Sequence, residues 1–448
     1  MEIKLIHSRD NYTFLTQGPI HRVIFTMAIP TMLSMLVSGL YNIVDTYFVG
    51  KINTQATAAV GVVFSVMFFI QAFSFFFGNG SGNYVSRELG AKRIKNAQTM
   101  ATTGFVYALA TGLLITIIGE SFLTPLSIWL GSTPTILPYT EKYMGIILLG
   151  APIMTGSFTL NNQMRFQGNA NFAMWGIFSG TILNAILAPI FIFVFGWGIS
   201  GAAIATVTGQ LVSFLILIRM TYFGGSIRLN IHRFSASSKF IKEIFAGGMP
   251  SLLRQGLTSM AAVMMNIAAS HYGDAAIAGM SIVNRLTLIL MATVIGLGQG
   301  FQPFCGFCYG ARLYARVKKG FWFTVRVGII FLLIFCTVGW IFSDHIVKEF
   351  RNDPEVIIVG TQALRWQLIS LPAVPLLMVS NMFMQTIRKT WRANLLASSR
   401  SGLFFIPLII ILPHFFGLQG VEMCQMWSDF SALLITVPLL LITMHELK

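Results

Sequence analysis

Twelve apolar stretches, each of about 20 residues or more, recur from one end of this chain to the other, and few folds can accommodate them. They lie at about 23–49, 57–82, 98–120, 139–162, 173–195 and 199–221. After a basic polar stretch from Arg228 to Lys242 they resume at about 244–271, 276–304, 321–343, 357–386, 393–416 and 419–444. Each is long enough to cross a hydrocarbon core ~30 Å thick. Backbone groups in that core find no water to bond, so only helices and closed barrels span it. No stretch alternates as a barrel strand does. The expectation is an all-α integral membrane protein of about twelve transmembrane helices. Only 10% of the 448 residues are charged and 55% are hydrophobic, with a mean hydropathy of +0.73; soluble chains carry about 25% charged residues. The first stretch is too long for a signal-peptide core and is expected to be retained.

The net charge of +15 invites comparison with nucleic-acid binders, but its distribution points elsewhere. Of 30 Lys and Arg, 23 fall in one set of alternate loops or at the termini, from Lys4 to Arg22, Arg87 to Lys95, Arg165, Arg219 to Lys242, Arg312 to Arg326, Arg388 to Arg400, and Lys448. The opposite loops hold Lys51, Lys142, Lys348, Arg351 and Arg365. Such asymmetry places both termini in the cytoplasm of a multi-pass protein of the cytoplasmic (inner) membrane. The charge then serves orientation and contact with anionic lipid, and no nucleic-acid partner is expected.

The two halves repeat. Ile29-Pro30-Thr31-Met32-Leu33 matches Met249-Pro250-Ser251-Leu252-Leu253, and Gly78-x-Gly80-x-Gly82 matches Gly296-x-Gly298-x-Gly300. Gly90-Ala91-Lys92 matches Gly310-Ala311-Arg312, Pro152 matches Pro372, and Pro189 matches Pro407. The offset stays at about 218–220. Six spans per half start both halves on the same side of the membrane, as in transporters built from two parallel bundles. The expected organisation is an N-terminal six-helix lobe (1–222), a cytoplasmic linker (223–242) and a C-terminal six-helix lobe (243–448), forming two pseudo-symmetric bundles. The glycine triplets permit close helix approach or local unwinding. Pro30 and Pro250 each remove a backbone hydrogen bond and allow a bend.

Ionisable residues inside spans cost at least ~2.5 kcal/mol and mark function or pairing. Asp45 is the only acid in the first span, with Tyr41 one turn earlier on the same face and Asn42 beside it. It reads either as a proton or cation site or as a structural carboxylate paired with a basic side chain. Arg254, Arg285 and Asp429 also fall within spans, and Asp429 is expected to pair with Arg285 or Arg254, as a latch, a second proton site or a static ion pair. Arg254 would repel a cation in a central cleft, which suits an anionic, zwitterionic or neutral substrate. Cys305 and Cys308 form a CxxC with no second pair or His cluster, so small apolar packing is expected rather than a metal site.

With these residues in place, the chain resembles the multidrug and toxic compound extrusion family. The resemblance rests on Ile29-Pro30, Asn42 to Gly50, Gly80-x-Gly82-x-x-x-Ser86-Arg87-x-Leu89-Gly90-Ala91, Arg165-x-x-Gly168-Asn169, Gly201-Ala202-Ala203-x-Ala205-Thr206, Arg285, and Gly300-x-Gln302-Pro303 with Gly310-Ala311. It implies twelve helices in two six-helix lobes around a cleft that opens alternately to each side, with export driven by proton or sodium entry. It implies an ion site in the amino lobe formed by Asp45, Asn161, Asn184 and Thr206, with Tyr41 lining it. The family commonly has a second acid where this chain has Ala188. A lone carboxylate among neutral oxygens is a poor cage for a metal ion, whereas burial favours its neutral form. Proton coupling is therefore expected over sodium, with no cofactor, a small-molecule substrate, lipid contact and a monomer. Against a flippase for a lipid-linked precursor, a channel or an intramembrane enzyme, the secondary transporter is the reading taken. No HExxH, Gly-x-Ser-x-Gly or spaced pair of membrane aspartates supports an enzyme.

Overall fold

A computed structural model describes residues 8–223 and 227–447, the side chains of 8–10, 40–44 and 223 excepted. Those residues form eighteen α-helices and no strand. The first half comprises α1 (Ser8–Gln17), α2 (Ile20–Gly50), α3 (Thr54–Gly90), α4 (Ile94–Ser121), α5 (Leu123–Trp129), α6 (Leu137–Leu149), α7 (Ala151–Phe166), α8 (Ala170–Pro189) and α9 (Gly198–Phe223). The second comprises α10 (Ser238–Ser270), α11 (Asp274–Gly310), α12 (Tyr314–Ile341), α13 (Ser343–Phe350), α14 (Pro354–Ser370), α15 (Val374–Thr386), α16 (Thr390–Ser398), α17 (Phe405–Phe416) and α18 (Leu418–Glu446).

Ten helical stretches among the described residues are long and apolar enough to cross a membrane, and α6 with α7 make an eleventh, bent by 51°. The place of the seventh expected span is taken by α10, which is 33 residues long but carries Lys239, Lys242, Glu243 and Arg254. On α4, Leu113, Leu114, Ile117 and Ile118 are all exposed. Their spacing makes one apolar stripe, the pattern of a lipid-facing surface.

Two spans that read as continuous are broken, at equivalent places. The break between α6 and α7 falls at Gly150, with Pro152 in the first turn of α7. Its counterpart is a 3-10 turn, Leu371–Ala373, that carries Pro372 between α14 and α15. Proline is accepted in a first turn because its missing N–H has no partner there. By contrast, α2 and α10 run without interruption through Pro30 and Pro250. Wide turns also interrupt two other spans, Ile190–Val194 after α8 and Ser399–Leu403 between α16 and α17.

The repeat extends to backbone conformation. α3 and α11 both end in a turn whose third residue is left-handed, Lys92 at φ 58° and Arg312 at φ 61°. In each, the next N–H reaches back along the helix, Arg93 to the Glu88 carbonyl at 2.7 Å and Leu313 to the Cys308 carbonyl at 2.8 Å. These bonds satisfy carbonyls that the helix end leaves open, and the gain offsets the penalty of a non-glycine residue at positive φ.

The halves meet backbone to backbone. A Cβ added to Gly80 would strike the Ile244 carbonyl of α10, and one added to the equivalent Gly300 would strike Ala28 of α2. Gly90 lies against the Phe307 carbonyl while Gly310 lies against that of Arg87. Gly90 with Phe307 and Gly310 with Arg87 are related by the repeat, as are the approach of an added Gly80 Cβ to the Gly248 N–H at 3.2 Å and that of Gly300 to Ala28, so the seam has a pseudo-twofold axis. Polar bonds follow it: Asn79 Nδ2 donates to Ser251 Oγ at 2.9 Å, Thr386 Oγ1 to Asn83 Oδ1 at 2.8 Å, and Arg87 pairs with Glu243 at 3.0 Å. Beyond Ser251, α10 leaves the seam, and Met260, Val263 and Ile267 are exposed. The halves are thus joined toward the ends marked by Gly90 and Gly310.

Small residues are required at this seam. Gly80→Ala and Gly300→Ala should each destabilise by about 1–3 kcal/mol, the range for overpacking. Gly61→Ala, where nothing lies within 4 Å of the new Cβ, should not. Thermal denaturation of the purified protein in detergent checks the contrast.

Candidate functional site

Asp45 lies near the end of α2 and is 5% exposed. Its Oδ2 accepts a hydrogen bond from the Tyr143 hydroxyl of α6 at 3.1 Å, and its Oδ1 has no partner among the described residues. No basic side chain pairs with it there. Tyr143 is fully buried in an apolar cluster with Val49, Ala188, Ala202 and Ala203. The position where related sequences were expected to carry a second acid is thus filled by the buried methyl group of Ala188. A charge in such surroundings costs several kcal/mol unless paired, and one phenol satisfies only part of a carboxylate's capacity.

The other expected partners divide. Asn184 of α8 donates from Nδ2 to Thr206 Oγ1 of α9 at 3.3 Å, and its Oδ1 is buried without a partner. Close crossing of α8 and α9 at Gly180 and Gly209 positions this pair. Asn161 is engaged elsewhere: its Nδ2 donates to the Ala173 carbonyl at 2.6 Å. The residue one repeat later, Asn381, donates to the Ala393 carbonyl at 2.7 Å. A bond made at both equivalent positions belongs to the fold and needs no ion. The side chain of Tyr41 lies outside the described residues. Sequence reasoning missed Tyr143. It sits on an element 98 residues away, behind Glu141 and Lys142, where it looks like a tyrosine at a membrane surface.

The expected partners of Asp429 are corrected. Asp429 is fully buried and pairs with Arg400 Nε at 2.7 Å, not with Arg285 or Arg254. Ser370 Oγ at 2.9 Å and Gln425 Nε2 at 2.9 Å complete its shell. Arg400 had been counted among loop residues, but it sits in the wide turn Ser399–Leu403 against α18, with its side chain 11% exposed. Arg285 is exposed on α11, without an ion pair among the described residues. Arg254 donates from Nη1 to Asn381 Oδ1 at 2.8 Å.

Arg165 also departs from its expected place in a loop. It closes α7 and is 2% exposed. Its guanidinium donates to Asn162 Oδ1 at 2.7 Å, Asn79 Oδ1 at 3.2 Å and, across the seam, Gln299 Oε1. Cys305 and Cys308 are buried in an apolar cluster that second-half residues form with Leu15, Val23, Ile24 and Ala28, and no group of three metal-ligating side chains occurs among the described residues. Within the first half a cleft is lined by Phe64, Met67, Phe68, Met154, Phe158 and Gln210. Ser38 also lines it, two turns before Asp45 on the same face of α2.

Two repeated helical arrays that meet along a glycine seam, with isolated charges between and within them, belong to the class of transporters built from paired bundles. The sequence profile of the MatE family matches residues 30–190 and again 250–411. The chain belongs to this family, the multidrug and toxic compound extrusion (MATE) transporters. It is a multi-pass membrane transporter, not an enzyme, and its family requires no cofactor. Among similar proteins is the multidrug export protein MepA of Staphylococcus aureus (strain MSSA476), 26% identical over 422 residues, 93% of this chain and 91% of the relative. MepA of Staphylococcus haemolyticus (strain JCSC1435) is 25% identical over 441 residues, 97% and 95% of the two chains. A solved structure described as MATE in the bent conformation superposes with a TM-score of 0.92 at 24% identity, covering 98% of each chain. An outward-facing multidrug resistance MATE transporter gives 0.90 at 25% identity, covering 97% of this chain and 98% of that one.

The Arg400–Asp429 pair should behave as a buried ion pair. Arg400→Gln alone is expected to destabilise by about 3–5 kcal/mol. Arg400→Gln with Asp429→Asn should recover much of that loss, because no unpaired charge remains. A double-mutant cycle on thermal melting measures the coupling.

Proposed function

We propose that this protein exports small organic compounds across a cytoplasmic membrane in exchange for protons, by alternating access, with Asp45 as the proton carrier. The observation that carries the reading is the isolation of Asp45 among the described residues: a buried carboxylate with one phenolic donor, one unpartnered oxygen and no basic side chain paired with it. Adding a proton removes the charge that makes its burial expensive. A sodium ion would want several oxygen ligands around it, and the residue that would supply a second carboxylate is Ala188. Asn184 and Thr206 contribute polar oxygens to the same lobe. The names of the similar multidrug export proteins support export of organic compounds.

In this cycle Asp45, ionised while the cleft faces outward, takes a proton from outside. The neutral side chain tolerates closure, and α2 bends near Pro30, where the ladder lacks one donor. Ser38 couples that movement to the apolar cleft, so substrate affinity falls and the cargo leaves outward. Both termini lie in the cytoplasm, and the protein works as a monomer in contact with lipid. With one proton exchanged for one monovalent cation the drive is ~1.4 kcal/mol per pH unit. With a neutral or zwitterionic substrate the membrane potential adds ~2.3 kcal/mol per 100 mV. A flippase acting on a lipid-linked precursor is the second reading, favoured by the guanidinium groups of Arg165 and Arg254; movement of a fluorescent phospholipid in the same vesicles tests it.

Proteoliposomes with imposed pH or sodium gradients test the coupling. A pH gradient should drive accumulation of a fluorescent organic dye, and a sodium gradient alone should not. Asp45→Asn should abolish gradient-driven transport while the protein still inserts; full export by that variant would sink the proposal. Tyr143→Phe should slow transport about 10-fold or more, in line with loss of a hydrogen bond to a charged group.

A further inference from the structure

We infer that Arg165 and Arg254 form a binding site for the oxyanion of an amphiphilic substrate, at the point where the two halves meet. This rests on the export reading above and names the substrate class. The two side chains come from opposite halves and are linked through a short chain of hydrogen bonds. Arg165 donates to Asn79, and Asn79 donates to Ser251, three residues before Arg254 on α10. Neither guanidinium bonds to a carboxylate among the described residues; their partners are the neutral amides of Asn79, Asn162, Gln299 and Asn381. Two buried acids of the second half are already paired, Glu243 with Arg87 and Arg388 and Asp429 with Arg400.

Two like charges brought together without a counterion are a costly arrangement in a membrane protein. The donors left over indicate what relieves it. Arg165 Nε is buried without a partner. Arg254 is half-buried and uses a single N–H, toward Asn381. Its remaining donors form the planar fork that matches a carboxylate, phosphate or sulfonate. The body of the ligand has an adjoining place. Met154 and Phe158 of α7 line the apolar cleft, and Arg165 lies seven residues past Phe158 on the same face. At 1.5 Å per residue the separation is about 10 Å, the length of a compact aromatic amphiphile. The substrate is a soluble compound with an apolar aromatic body and an oxyanion head; a lipid phosphate offers the same head chemistry.

The test uses the full chain in proteoliposomes with two dyes that share one xanthene ring. Rhodamine 110 carries a free carboxylate and rhodamine 123 its methyl ester. Wild type should prefer rhodamine 110, and Arg254→Gln should lower the 110-to-123 transport ratio by about tenfold, as loss of a charge-assisted bond predicts. Arg254→Lys should restore part of it. Equal loss of both dyes in Arg254→Gln would show a structural role and overturn the proposal, as would an unchanged ratio. Benzoate binding to the detergent-purified protein, followed by calorimetry, gives a reading independent of transport. It should weaken about tenfold in Arg254→Gln and in Arg165→Gln; absence of binding to wild type overturns the site. If benzoate binds through Arg254 but no dye follows a pH gradient, the coupling reading fails and the site stands. If labelled phosphatidylglycerol moves and rhodamine 110 does not, the soluble substrate is overturned in favour of a lipid.

Discussion

Close backbone contact between the two halves is the constraint on which the rest depends. Gly80 against Ile244, Gly300 against Ala28, and the mutual approach of Gly90 and Gly310 to the carbonyls of Phe307 and Arg87 leave no room for a side chain. Between helices in lipid there is little hydrophobic drive, and association relies on packing and polar bonds. The seam supplies both, with glycines admitting the backbones and Asn79, Ser251, Asn83 and Thr386 bonding across them. Because these bonds gather toward one end, the two arrays can separate at the other without breaking them.

Against that symmetric frame the chemistry is one-sided. The position one repeat after Asp45 is Met265, apolar and buried. Arg165 has Gln385 as its counterpart, and Gln385 bonds Ser251 and the Gly247 carbonyl. One half thus holds a lone carboxylate and the buried guanidinium, while the other supplies the second guanidinium and a neutral amide. Duplication provides two equivalent places for each function, and the chain uses each place differently.

Much of this was legible before any coordinates. Apolar length fixes the helices, because a bilayer leaves the backbone no alternative, and the repeat predicts two bundles. Asp45 stands out because one acid in an apolar run carries a large penalty. What could not be read was pairing. Asp429 was assigned to Arg285 or Arg254, because Arg400 looked like a loop residue until the wide turn at Ser399–Leu403 placed it inside the bundle. The Ala173 carbonyl bond of Asn161 and the approach of Tyr143 to Asp45 were hidden for the same reason. Polar side chains in spans have many candidate acceptors, and one chain alone does not say which helices touch. Helix breaks were equally hidden: Pro30 and Pro250 sit in unbroken helices, whereas Gly150 beside Pro152 marks a 51° bend.

The pseudo-twofold seam has a further consequence. Each half carries both of the surfaces that the contact uses, a glycine on its second long helix and a small-residue floor on its first: Gly80 with Ala28 in one, Gly300 with Gly248 in the other. Such a contact is self-complementary, the hallmark of a twofold dimer. A chain of half this length would own everything needed to pair with its own copy. Joining two copies in one polypeptide frees each from having to match the other outside the seam, and that freedom is what lets Asp45 stand in one half while the equivalent place in the other holds Met265.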